Sequence, residues 1–165
     1  MPITAKSNLN GQPFIVIVDD EEIVLKSIHS LLKIETNYHV ACYTDPIQAL
    51  DQISRQKVDL VISDYLMPNM DGVQFLAQVK ELNPEVSRVL LTGYADKESA
   101  IKAINNVGLF HYVEKPWDND ELLLIIRNGL EKRFLIQQLR EKVSELDEAH
   151  HGLKEVQKRL LKAFI

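Results

Sequence analysis

The chain has 165 residues, 45% hydrophobic and 26% charged, with a formal net charge of −5, proportions of a globular protein with one ordinary domain and a surplus. No apolar run exceeds five residues, too short to cross a bilayer as a helix. Residues 1–13 lack the basic cluster and apolar stretch of a secretory signal, and the single cysteine, Cys42, excludes an internal disulfide, so a cytoplasmic location is expected.

The average charge hides a division. Residues 1–130 carry 11 Lys+Arg against 18 Asp+Glu, a net of −7, whereas residues 131–165 carry 8 against 6, a net of +2. Gly and Pro are confined to the first part except for Gly152, so turn signals stop near residue 130. The predicted organisation is a flexible segment over 1–12, a domain over 13–130 and a helix over 131–165.

In chain order, apolar runs of about five residues fall at Phe14–Val18, His39–Tyr43, Val58–Ile62, Val86–Leu91 and Leu109–Val113. Short, non-alternating and rich in Val and Ile, they predict strands buried on both faces. Between them lie helically spaced sets: Ile23, Ser27, Leu31 and Ile34; Ile47, Leu50 and Ile53; Val73, Leu76, Val79 and Leu82; Ala100, Ala103, Ile104 and Val107. Strand and helix alternate, which means βαβ units with right-handed crossovers. The predicted fold class is α/β, a doubly wound five-stranded parallel sheet with helices on both faces.

In such sheets ligands bind outside the carboxyl ends of the strands. Asp19 and Asp20 follow the first strand and Asp64 the third, so three carboxylates converge on one edge. They would repel one another and raise at least one pKa, a penalty that a divalent cation removes. Mg²⁺, a hard ion that takes a few carboxylates and keeps water and phosphate oxygens, is the natural candidate. His29, His39, His111, His150 and His151 are scattered, which makes zinc improbable. Thr92 and Lys115 end two further strands at the same edge. An aspartate beside a cation and a lysine can attack phosphorus, since Asp is a competent covalent nucleophile in phosphate chemistry. Glycine-rich phosphate loops are missing.

FIVIVDDEE (Phe14 to Glu22), VDLVISDYLMPNMDG (Val58 to Gly72), VLLTG (Val89 to Gly93) and YVEKPW (Tyr112 to Trp117) stand in order at these strand ends. With these motifs, residues 14–130 resemble a receiver domain of a two-component response regulator. The resemblance implies strand order 2-1-3-4-5 and a signalling domain that accepts phosphate on Asp64 from a histidine kinase or phosphotransfer protein, without being a conventional enzyme. It implies Mg²⁺ held by Asp19, Asp20, Asp64 and the carbonyl of Leu66. Lys115 would pair with the phosphoryl group, Thr92 would bond to it, and Tyr112 would act with Thr92 as the switch. In the family a cis bond often precedes the proline at Pro116. Leu66 and Tyr94 occupy positions that influence how water reaches the acyl phosphate; neither is acidic, which implies slow self-hydrolysis. Pro68 and Gly72 bracket a loop in which glycine permits φ > 0.

Leucines at 139, 146, 153 and 160 recur seven apart, with Ile136, Val143, His150, Gln157 and Phe164 at the intervening a positions. Leu at d with Ile and Val among the a residues favours a parallel two-stranded coil, so a homodimer through this helix is predicted, leading to an output domain beyond the chain. Lys142 at g and Asp147 at the following e can pair across it. Two other functions compete. A Mg²⁺-dependent aspartyl-phosphate hydrolase needs a further acid to activate water, and Glu21 and Glu22 more naturally begin the first helix. A zipper-type DNA binder needs a basic region, for which Lys132 and Arg133 are too few, so no direct nucleic-acid contact is expected.

Overall fold

The computed structural model describes residues 11–163, apart from the side chains of residues 94, 103, 104, 106 and 107. The expected N-terminal segment 1–12 thus lies almost wholly outside the described residues, as do the side chains of Tyr94, Ala103, Ile104 and Val107 and all of Phe164. The elements run β1 (Phe14–Val18), α1 (Glu22–Glu35), β2 (His39–Tyr43), α2 (Pro46–Arg55), β3 (Leu60–Asp64), α3 (Gly72–Leu82), β4 (Ser87–Thr92), α4 (Lys97–Val107), β5 (His111–Glu114) and α5 (Asn119–Ala163). All strand pairs are parallel, in the order β2-β1-β3-β4-β5, the predicted fold.

β1, β3 and β4 are buried along their whole length, as their unbroken apolar sequences require. Edge strands β2 and β5 are only partly covered. Strand ends differ from expectation at the carboxyl edge. β3 starts at Leu60 rather than Val58 and runs through Ser63 to Asp64, while β4 and β5 likewise extend into Thr92 and Glu114. The ladder is the reason: Asp64 pairs with Leu91 and Thr92 with Glu114, so backbone pairing continues past the last apolar side chain.

The helix faces also differ. α1 buries Leu25, Ile28 and Leu32, while Ile23 and Ile34 are 74% and 79% exposed. α2 buries Pro46, Ala49 and Ile53 and exposes Ile47; α3 buries Phe75, Leu76 and Val79 and exposes Leu82. Each helix has more apolar residues than one face holds, so several phases fit a 3.6 period and the sheet selects one. The α3 start is set by a capping box, in which Asp71 accepts from Gln74 N–H at 2.8 Å and Gln74 returns a bond to Asp71 N–H at 3.1 Å.

Close contacts divide the chain into residues 1–133 and residues 134–165. Within the second unit the described residues continue the helix, with Leu139, Leu146, Leu153 and Leu160 each more than half exposed. No helix among the described residues is long and apolar enough to cross a membrane.

Candidate phosphoryl-acceptor site

The order 2-1-3 makes β1 and β3 neighbours whose following helices leave on opposite sides of the sheet, opening a crevice at their carboxyl ends. Asp19 and Asp64 stand on its two sides. Asp19 is fully buried; its Oδ1 accepts from the Glu21 N–H at 2.8 Å, which turns the chain into α1. Asp64 is 7% exposed, whereas Asp20 lies open at the rim. The three acids present oxygens within 4.8 Å of one another.

Lys115 reaches in from the end of β5. Its Nζ lies 3.0 Å from Asp19 Oδ2 and 3.0 Å from Asp64 Oδ1, and its backbone N–H is tied to the Thr92 carbonyl at 2.7 Å. The Lys115–Pro116 bond is cis. Thr92 is fully buried and its hydroxyl has no hydrogen-bond partner within the protein. Leu90 pairs with Tyr112, so by strand periodicity Thr92 and Tyr112 share one face of the sheet. Tyr112 is half-buried against the core and also lines a groove of about 490 Å³ with Lys97, Glu114, Trp117 and Glu121.

The electrostatics differ in cause from simple repulsion. Burial pushes the Asp64 carboxyl up to about 6; the bond from Lys115 opposes this and the charge of Asp19 adds to it. Asp19 is likewise raised, chiefly by burial. Burial alone would lower Lys115, but its bonds to Asp19 and Asp64 outweigh that and hold the ammonium above its usual range. The pocket therefore contains acids that solvent exclusion makes reluctant to ionise and a lysine that stays cationic.

Gly72 acts through space rather than through φ. A Cβ there would lie 2.0 Å from the Asp64 carbonyl oxygen, and its N–H donates to the Tyr65 carbonyl at 2.7 Å, so only glycine lets α3 begin against the end of β3. Positive φ occurs instead at Asn69, at 69°, within a tight turn closed by Met70 N–H to Pro68 carbonyl at 2.8 Å. Sequence reasoning also passed over Ser63, whose hydroxyl donates to the Asp64 carbonyl at 2.9 Å. Leu66 is exposed beside the site.

Hard carboxylate oxygens crowded at one point fit Mg²⁺, and the class this defines is a doubly wound α/β protein with an acid cluster and a lysine at the carboxyl edge of its sheet. The chain belongs to the response regulator receiver domain family, whose model matches residues 15–127. Receiver domains bind Mg²⁺ at such an acidic pocket. It is 33% identical over 124 residues to the hydrogenase transcriptional regulatory protein HoxA of Cupriavidus necator, covering 75% of this chain and 25% of HoxA. The response regulator protein TodT of Pseudomonas putida is 30% identical over 148 residues, 90% of this chain and 64% of TodT. The crystal structure of the signal receiver domain of an HD domain-containing protein from Pseudomonas fluorescens Pf-5 superimposes with a TM-score of 0.69 at 39% identity, covering 74% of this chain and 97% of that one. The chain thus spans about a quarter of HoxA and under two thirds of TodT. The hydrolase reading is not favoured, since Glu21 stands at the N-cap position of α1, Glu22 opens the helix, and both side chains are exposed.

Proposed function

We propose that Asp64 accepts a phosphoryl group from a histidine kinase or phosphotransfer protein and that the chain passes this state to its C-terminal helix. Asp64 Oδ attacks phosphorus, the P–N bond of the donor phosphohistidine breaks, and the imidazole leaves with the electron pair. Asp19, Asp20, Asp64 and the Leu66 carbonyl would hold Mg²⁺, which when bound supplies charge neutralisation for phosphate oxygens. Lys115, shared between Asp19 and Asp64, gains the phosphoryl oxygens as a third partner and keeps its positive charge throughout. The Thr92 hydroxyl donates to a phosphoryl oxygen, and Tyr112, on the same face, follows it and reshapes the groove it lines.

One observation carries this reading: the only buried side-chain hydroxyl without a partner among the described residues belongs to Thr92, on the strand-end edge where Lys115 bridges Asp19 and Asp64. A buried unmade hydrogen bond is costly and is satisfied when an acceptor arrives. The tail supports a parallel homodimer, because its d-position leucines are exposed in the single chain and the g–e′ pair Lys142 and Asp147 is of opposite sign. An antiparallel pairing about residue 147 would set Asp147 against its own copy. Receiver domains of this family signal without being conventional enzymes; on this reading the chain acts in the cytoplasm and makes no direct contact with nucleic acid. Labelling with radioactive acetyl phosphate in Mg²⁺ tests the core of the proposal. Asp64→Asn abolishes the label because an amide is no nucleophile, and a variant labelled like the parent would place the acceptor elsewhere.

A further inference from the structure

The far end of the sheet holds a second charged cluster that the phosphoryl chemistry does not use. Asp59, the residue before β3, is fully buried; one of its oxygens, Oδ2, accepts from the Phe14 N–H at 2.8 Å, while Oδ1 has no partner. Arg133 on α5 is 2% exposed, its Nη1 lies 3.2 Å from Glu85 Oε2, and its Nε has no partner. Arg133 also acts through space on Asp59, opposing the rise that burial imposes on that carboxyl.

One turn earlier, the Ser87 hydroxyl donates to the Gly129 carbonyl at 2.6 Å in a buried bond. A Cβ at Gly129 would lie 2.9 Å from Leu60 Cδ1 and 3.2 Å from Phe110 Cδ1, so glycine lets α5 press onto the start of β3 and the residue that leads into β5. Lys132 covers the outer side, its Nζ 5.5 Å from the Phe110 ring centre. A single helical turn, Gly129 to Arg133, is therefore held by a hydroxyl and a carboxylate from residues 85–87 and by the aromatic ring of Phe110.

Apolar side chains let a packed helix slide or roll by small amounts, whereas a buried ion pair and a hydrogen bond specify one azimuth and one height. This turn is also the last of the first compact unit, and the tail continues from Phe134. At its other end, α5 starts only four residues after Lys115. We infer that the Ser87–Gly129 bond and the Glu85–Arg133 pair form a pivot for α5: this turn stays fixed while the end of the helix near the phosphoryl site moves, and what reaches the tail passes through this turn. Arg133 and Glu85 are positioning residues on this account. The part concerning transmission rests on the proposed role of Asp64.

The test uses the full chain, with hydrogen exchange read by mass spectrometry and Asp64 labelling by acetyl phosphate in Mg²⁺. Without phosphate, Arg133→Met is expected to speed amide exchange over residues 129–139 by about tenfold or more while β1 and β3 exchange as in the parent; Arg133→Lys, which keeps the cation, restores part of the protection. With phosphodonor, Arg133→Met labels at the parental rate, but the phosphorylation-dependent change in the tail is lost. If Arg133→Met does not fold, Glu85→Gln serves for both comparisons. Unchanged exchange over 129–139, or a tail response that persists in the variant, overturns the pivot. A parent that takes no label overturns the reading of Asp64 instead, and the comparison without phosphate still decides the pivot.

Discussion

The Lys115 ammonium lies 3.0 Å from Asp64 Oδ1 and at the same distance from Asp19 Oδ2, so one cation serves two buried acids at the ends of different strands. Lysine is suited to this because its ammonium is a compact charge on a flexible stem that can exchange one oxygen partner for another. Lys115→Ala is expected to leave Mg²⁺ affinity within about tenfold of the parent, since lysine is not among the proposed ligands. The variant should still be labelled by acetyl phosphate but lose the change in tail exchange. Calorimetric Mg²⁺ titration and hydrogen exchange check both halves, and an unaltered response in the variant would remove Lys115 from the switch.

Removing the acceptor charge should stabilise the metal-free fold. The Asp64 carboxyl, ordinarily near 3.8, stands at about 6 in the folded chain, so between those values the folded state binds more protons than the unfolded one. Stability thus falls as pH rises through that window and stays lower above it. At neutral pH, Asp64→Asn is expected to stabilise the chain in EDTA by about 2 kcal/mol, and the gain should vanish near about pH 4. Thermal unfolding of parent and variant across that range measures it; a gain that is independent of pH would contradict the assignment.

Gly72→Ala should damage the site from outside the charged set. Its Cβ would stand 2.0 Å from the Asp64 carbonyl oxygen, a backbone atom that cannot swing aside like a side chain. The start of α3 must then separate from β3, at a cost of about 1–3 kcal/mol. Urea unfolding should show that loss and acetyl phosphate labelling should slow, whereas Gly152→Ala, inside α5 with nothing within 4 Å of the added carbon, should leave labelling unchanged and cost no stability, the better helix former adding up to about 1 kcal/mol.

The tail predicts an oligomeric state that does not wait for phosphate. Four d-position leucines, each contributing about 1.5–3 kcal/mol when buried, outweigh the polar a positions His150 and Gln157. Phosphorylation then shifts the population of two packings rather than assembling monomers. Sedimentation equilibrium should find the full chain dimeric at tens of micromolar and a chain ending at Arg133 mostly monomeric. A monomeric full chain, or a truncated one that dimerises as tightly, would remove the coil.

If Asp64 carries phosphate as proposed, the phosphate is expected to be lost slowly, because the exposed side chain beside it is the apolar Leu66. An apolar side chain there offers incoming water no polar partner. Leu66→Asn should therefore shorten the lifetime of the acyl phosphate several-fold, as followed by decay of the label after the donor is removed, and an unchanged lifetime would mean that water enters by another route.

Much of this protein could be read without coordinates, because strands buried on both faces must be apolar throughout and their ends then stand out as the first polar residues. Phe14–Val18 followed by Asp19 and Asp20, and Leu60–Ile62 followed by Ser63 and Asp64, announce a parallel sheet and its functional edge in one pattern. Tertiary structure alone decided the helix faces: α1 buries Leu25, Ile28 and Leu32 because the sheet lies on that side, although Ile23 and Ile34 are as hydrophobic. It alone decided that burial more than mutual repulsion raises Asp64, since solvent exclusion depends on what covers the strand end. The Glu85–Arg133 pair and the Ser87–Gly129 bond, joining residues 48 and 42 apart in the chain, leave no periodic trace. Periodicity is a local property of the chain, whereas charge pairing and close backbone approach arise only where distant segments are brought together.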